Sequence, residues 1–144
     1  MDATAEKIIN LSRTYAASLD AVFDAWLDPV GLVAWFLPGP SMKATAEIDA
    51  RVGGAFQIIM KTEENEYVHD GKYLEIDRPN HLVFTWISPG TQGEVSKVTV
   101  NLTETGDGTR LDLTHEGLPS VEAIKNHTLG WGGILEKLGG FLAA

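Results

Sequence analysis

The sequence contains no cysteine among its 144 residues. This excludes disulfide bonds, thiolate catalysis and cysteine-ligated zinc, and it is typical of a reducing cytoplasm, where we expect this protein to reside. Long apolar runs are also missing, since none approaches the ~20 residues that a membrane span needs. The first residues, MDATAEKIINL, lack the basic start and apolar segment of a secretory signal. We therefore predict neither a membrane span nor export.

Basic residues are scarce. The chain has 11 Lys and Arg against 20 Asp and Glu, which gives a net charge of −9. The basic residues are scattered rather than clustered, so a nucleic-acid phosphate backbone would be repelled. Nucleic-acid binding is therefore not expected.

Motifs for hydrolysis and metal binding are missing as well. No G-x-S-x-G sequence occurs. The four histidines lack the i, i+4 helical or i, i+2 strand spacing of a ready metal site. We therefore predict no metal and no cofactor, and we assign no catalytic residue.

The sequence does contain a clear order of secondary-structure elements. Alternating residues 7–16 predict a strand, Ser18 is a suitable N-cap for a short helix, and Pro29 can open a second one. The run 37–41 reads as a loop. Six further strands with short connections follow, which indicates an antiparallel sheet. They are predicted at residues 42–48, 55–62, 67–76, 81–88, 95–104 and 109–116.

The last segment has the apolar spacing of a helix. After Ser120, apolar positions recur every three or four residues, which predicts one helix of about 22 residues over 120–142. One sheet and one long amphipathic helix define an α+β fold in which the sheet curls around the helix. We expect a single domain over residues 1–144.

Two groups of glycines are unusual for their positions. Gly53 and Gly54 lie between two predicted strands and indicate a bend or tight turn, at which Asp49 and Arg51 would fix the register. The last helix contains five more, each costing roughly 0.8–1 kcal/mol relative to alanine. They permit either a close approach of helix and sheet or a cavity between them. These five are Gly130, Gly132, Gly133, Gly139 and Gly140.

Five segments carry a resemblance to a known family. They are AVFDAWLDPVGLVAWF (21–36), DARVGGAF (49–56), GKYLEIDRPNHLVFTW (71–86), SKVTVNLTETGDGTRLDLTHEGLP (96–119) and HTLGWGGILEKL (127–138). In this order, and over nearly the whole chain, the sequence resembles the START/Bet-v-like (SRPBCC) superfamily. Within it, the chain is similar to the activator of heat-shock protein 90 ATPase homologue-like group. The resemblance implies the helix-grip fold, in which a curved sheet of six or seven strands holds a long C-terminal helix.

The resemblance also implies a function. Members of this superfamily have a cavity between helix and sheet that takes hydrophobic or amphipathic ligands such as lipids, sterols, polyketides and flavonoids. We therefore expect a small hydrophobic ligand as the partner. The predicted lining consists of inward aromatic, aliphatic and histidine side chains: Trp35, Phe36, Phe56, Met60, Phe84, Trp86, Val98, Val100, His115, His127, Trp131 and Leu135.

Two alternatives remain open. One is a protein-interaction module, either in contact with a chaperone or forming a homodimer, for which the acidic surface would suit a basic partner. The other is a cavity enzyme of the polyketide cyclase/dehydratase type. In the predicted strand 67–76, side chains alternate between two faces. This alternation does not decide whether the face with Tyr67 and His69 or the face with Val68 and Asp70 points inward. The polar candidates for such chemistry are Tyr67, His69, Asp70, Tyr73, Glu75, His115 and Glu116.

Overall fold

The computed structural model describes residues 8–37 and 42–143. Its elements are β1 (Ile9–Tyr15), α1 (Leu19–Leu27), α2 (Pro29–Trp35), β2 (Lys43–Ile48), β3 (Ala55–Lys61), β4 (Glu66–Asp77), β5 (His81–Trp86), β6 (Ser96–Glu104), β7 (Thr109–Glu116) and α3 (Val121–Ala143). The predicted order of one strand, two short helices, six strands and a long helix is confirmed. Apart from Leu37, the predicted loop at 37–41 lies outside the described residues.

The seven strands form one antiparallel sheet in the order β1-β7-β6-β5-β4-β3-β2. Five of the six pairings join strands that follow one another in sequence, as their short connections predict. The sixth places the first strand against the last, with Ile9 opposite His115 and Tyr15 opposite Thr109. Strands β2 to β7 therefore form a meander, and β1 pairs with its last strand, β7.

Local polar side chains cap the N-termini of the three helices. The hydroxyl oxygen of Ser18 accepts a hydrogen bond from the backbone N–H of Ala21 at 3.2 Å, and the side chain of Ser120 accepts one from Ala123 N–H at 3.0 Å. These are the N-caps that the sequence predicts. Asp28 caps α2 in the same way, and Pro29 occupies the first turn of that helix.

Strand β4 contains a β-bulge and a glycine at a close approach of neighbouring strands. The register against β5 shifts between Tyr73 and Glu75, which leaves Leu74 as an extra residue in a β-bulge. Three residues before the bulge, Gly71 lets the neighbouring strands approach closely. A Cβ there would lie 2.0 Å from the Thr85 carbonyl oxygen and 2.4 Å from the ring of Phe56. The Phe56 ring thus covers a glycine in the neighbouring strand. Strand periodicity predicts neither the bulge at Leu74 nor the close approach at Gly71.

Gly53 and Gly54 lie in the tight turn between β2 and β3, and each meets a different demand. Gly53 has a φ of +83°, in the left-handed region. A Cβ at Gly54 would lie 2.1 Å from the carbonyl oxygen of Asp49. The exposed side chains of Asp49 and Arg51 join across this turn, with Arg51 Nε donating to Asp49 Oδ2 at 2.8 Å.

The core lies between the inner face of the sheet and the three helices. Its largest side chains are aromatic and contact one another, as in the pair Trp86 and Trp131, whose ring centroids are 5.4 Å apart. Trp26 on α1 meets Trp35 on α2 edge to face at 5.0 Å. Within the described ranges, no helix is both long and apolar enough to cross a membrane.

We predict that Gly54→Ala lowers the free energy of unfolding by about 1–3 kcal/mol, because the new methyl group must displace backbone rather than a side chain. Urea denaturation measures this. Gly106→Ala is the matched control, since a Cβ there meets nothing within 4 Å. The control should stay within about 0.5 kcal/mol of the parent protein. Equal stability of the two variants would contradict the proposed role of Gly54.

Candidate functional site: a pocket between the last helix and the sheet

A pocket of about 280 Å³ opens between the first half of α3 and the inner face of β3, β4 and β5. A short 3-10 turn at Pro89–Thr91, after β5, forms part of its rim. The lining combines apolar side chains with a few neutral polar ones: Met42, Met60, Tyr67, His69, Trp86, Ser88, Pro89, Gly90, Asn126, His127, Gly130, Trp131 and Ile134.

The glycines of α3 explain why the pocket lies at this level of the helix. His127, Gly130 and Ile134 recur at helical spacing on the wall of the pocket, and Gly130 contributes no side chain to fill it. Two turns later the helix approaches the sheet closely: a Cβ at Gly139 would lie 3.4 Å from the Tyr15 ring. The Tyr15 hydroxyl donates to the Leu135 carbonyl at 2.7 Å. Both expected uses of glycine, space and close packing, therefore occur in one helix.

The predicted lining divides into three groups. Met60, Trp86, His127 and Trp131 line the pocket. Phe36, Phe56 and Phe84 instead surround a separate core void of about 20 Å³, which Trp86 also borders. The remaining five are buried and line neither space: Trp35, Val98, Val100, His115 and Leu135. Apolar character alone does not distinguish a core position from a pocket wall.

Several lining residues were not predicted: Met42, Ser88, Pro89, Gly90, Asn126 and Ile134. Ile134 could have been found from the helical spacing, because it lies about two turns after His127. Ser88 to Gly90 could not, because their position depends on a local turn. There Ser88 N–H donates to Thr91 Oγ1 at 3.0 Å, and this hydroxyl donates back to the Ser88 carbonyl.

The structure decides which face of β4 points inward. Tyr67 and His69 line the pocket, and Gly71 and Tyr73 are buried behind them. The carboxylates considered for acid–base chemistry lie elsewhere: Asp70 accepts from Gln57 at 3.0 Å, Glu75 is exposed, and Glu116 pairs with Lys97. No Asp or Glu of the described chain lines this pocket.

Behind the pocket, a chain of hydrogen bonds connects α3 to three strands. The indole Nε1–H of Trp131 donates to Nδ1 of His115 at 3.0 Å, which leaves the ring proton on Nε2. Nε2 lies 2.7 Å from the Ser96 hydroxyl, which donates to the Trp86 carbonyl at 2.7 Å. All three side chains are buried, and the chain fixes one tautomer of His115.

Burial keeps the histidines around the pocket uncharged. Desolvation, together with the neighbouring His127, lowers the pKa of His115 to about 3. Desolvation also lowers the pKa of His127 and of His69, although each ring has a backbone hydrogen bond that favours its charged form. His115 and His127 stand perpendicular with ring centroids 5.1 Å apart. At neutral pH the pocket wall therefore contains two neutral imidazoles, those of His69 and His127, and the neutral ring of His115 lies behind it.

Among the described residues, one cluster brings three potential metal ligands within 4.8 Å of one another: Glu75, Asp77 and His81. The carboxylates are exposed, and the imidazole is already engaged. His81 Nδ1 lies 2.6 Å from Asn101 Oδ1, and Nε2 lies 3.5 Å from Glu75. The geometry is that of a surface hydrogen-bond cluster, away from the pocket.

A curved antiparallel sheet that holds a long C-terminal helix, with an apolar pocket between the two, defines the helix-grip class. The family model described as Activator of Hsp90 ATPase homolog 1-like protein matches residues 16–143. The chain belongs to this family, as its sequence motifs predict.

Solved structures share the fold over the whole chain. Protein CV1439 from Chromobacterium violaceum superposes with a TM-score of 0.88 at 27% identity, covering 96% of this chain and 98% of that one. Protein NE0264 from Nitrosomonas europaea gives 0.82 at 25% identity, with 99% and 98% covered. The AHSA1-like protein from Aeromonas hydrophila gives 0.79 at 20% identity, with 94% and 92% covered. A comparison with curated protein sequences found no match.

We predict that stability falls on acidification partly because of His115. Its folded pKa lies below the unfolded value of about 6.5, so the unfolded chain binds the proton first. The contribution of His115 to the free energy of unfolding is complete above pH 6.5. It is lost as the pH falls toward 3, at up to about 1.4 kcal/mol per pH unit.

Urea denaturation at several pH values between 7.5 and 4 measures this loss. His115→Gln keeps a donor toward Ser96 but cannot take up the proton, so its stability should fall less steeply over that range. Carboxylates contribute equally to both proteins, and the difference between the two slopes isolates the histidine. Identical slopes would contradict the assignment.

Proposed function

We propose that this protein binds a small hydrophobic or amphipathic ligand in the pocket between α3 and the sheet. The observation that carries the proposal is the pocket itself: about 280 Å³ of space with a mainly apolar wall that includes Met60, Trp86, Trp131 and Ile134. Ligand sites of small molecules are typically concave, apolar and equipped with a few polar groups. The resemblance to the superfamily leads to the same expectation for this location.

The volume and the rigidity of the wall support a compact ligand. Sites for drug-sized molecules usually measure roughly 300–1,000 Å³, so this pocket lies just below the lower end of that range. Trp86 and Trp131 are 3% and 2% exposed and pack in the aromatic core, and the Trp131 indole is also held by its hydrogen bond to His115. A preformed wall of this kind costs little to order when a ligand binds.

We predict that Gly130→Leu fills the pocket and weakens binding of the apolar fluorescent probe N-phenyl-1-naphthylamine by about tenfold or more. The reason is steric, since Gly130 lies on the pocket wall. Fluorescence titration gives the dissociation constants, and the thermal shift at saturating probe gives an independent measure.

Gly140→Leu is the matched control. Gly140 lies on the same helix, is exposed, and has no neighbouring atom within 4 Å of the position that a Cβ would take. It should bind the probe as the parent protein does. If Gly130→Leu also binds unchanged, or if the parent protein does not bind the probe, this pocket is not the ligand site.

A further inference from the structure

Two histidines in the pocket wall use the same ring nitrogen, Nδ1, as a hydrogen-bond donor. Nδ1 of His127 lies 2.7 Å from the Ala123 carbonyl oxygen, and Nδ1 of His69 lies 3.2 Å from the Ile58 carbonyl oxygen. A carbonyl can only accept, so in both rings Nδ1 carries the hydrogen and donates. In a neutral imidazole the other nitrogen, Nε2, is then a hydrogen-bond acceptor.

Both rings are neutral in this environment, since burial lowers the pKa of each. Within residues 8–37 and 42–143, Nε2 of His127 has no hydrogen-bond partner, whereas the His69 ring also interacts with the Tyr67 backbone. For His127, this edge of the ring faces the pocket rim. A Cβ at Gly90 would lie 2.8 Å from its Cε1 and 3.4 Å from its Nε2.

The rest of the lining has no charge to offer a ligand. No Lys, Arg, Asp or Glu of the described chain contributes to it, and the remaining polar groups are the hydroxyls of Tyr67 and Ser88 and the amide of Asn126. A ligand carboxylate would face two nitrogen lone pairs without a cation to balance it. The protein's net charge of −9 would add long-range repulsion.

We infer that the pocket selects uncharged apolar ligands that carry a hydroxyl group, whose O–H donates to Nε2 of His127 or of His69, and discriminates against the corresponding carboxylates. This inference rests on the proposed function, because it names the chemical class that the same pocket accepts. An alcohol or phenol satisfies a buried acceptor that would otherwise lose its hydrogen bond to water. An ether of the same shape cannot do so.

Three naphthalene probes of the same ring size test the inference at pH 7.5: 2-naphthol, 2-methoxynaphthalene and 2-naphthoate. Calorimetry or fluorescence titration should give a naphthol affinity about tenfold higher than that of the ether, and higher still relative to the carboxylate. Nitrogen NMR of the unaltered protein should show that naphthol shifts the Nε2 resonance of His127 or His69.

Histidine-to-asparagine variants identify the acceptor. Asparagine keeps a side-chain N–H near the position of Nδ1 and has no atom at the position of Nε2. The double variant His69→Asn/His127→Asn should lose the preference for naphthol and still bind the ether, which shows an intact pocket. His81→Asn is the control, because His81 bonds to Asn101 outside the pocket and its loss should leave the preference unchanged.

The outcomes separate the two proposals. Equal binding of all three probes, or tightest binding of the carboxylate, overturns the hydroxyl inference and leaves ligand binding in place. An unmoved Nε2 resonance in both rings when naphthol is bound also overturns it. Failure of every probe to bind the unaltered protein overturns the proposed function as well.

Discussion

The hydrogen bond from Trp131 to His115 holds the last helix to the sheet. It joins two buried rings across the interface between α3 and β7, and the bonds of His115 and Ser96 extend it to β6 and β5. A single polar chain thus crosses an apolar core, and the side-chain polar atoms of Trp131, His115 and Ser96 are all paired. Within the described residues, the buried indole N–H groups of Trp26, Trp35 and Trp86 have no acceptor. The orientation of Trp131, and with it the back wall of the pocket, depends on this chain.

The long helix consequently has two functional parts. From Asn126 to Ile134 it forms one wall of the pocket. Beyond that, Leu135 accepts from Tyr15 and Gly139 lies against the same tyrosine ring, so this part is docked on β1. The pocket wall and the contact with β1 therefore lie in different parts of the same helix. This explains how a helix with five glycines remains firmly positioned, since contacts with the sheet compensate for its weak intrinsic propensity.

The fold could be predicted from the sequence because its signals are local. Strand alternation, the caps at Ser18 and Ser120, and the spacing in the last helix each depend on a few neighbouring residues. The site depends on features without such a signal. The bulge at Leu74 depends on the pairing of β4 with β5, and the turn that places Ser88, Pro89 and Gly90 at the pocket rim depends on hydrogen bonds between Ser88 and Thr91. Phe56 was expected in the pocket wall, but it covers Gly71 in the neighbouring strand, a contact that hydrophobicity cannot distinguish from ligand binding.

The pairing of β1 with β7 has a consequence for how the protein is made. Ile9 lies opposite His115, more than a hundred residues further along the chain. During synthesis from the N-terminus, the first strand therefore remains unpaired until β7, the last strand of the sheet, has emerged from the ribosome. Closing so long a loop carries a substantial entropic cost before any contact offsets it. The meander of β2 to β7 can form progressively, whereas the attachment of β1 is a late event in biogenesis.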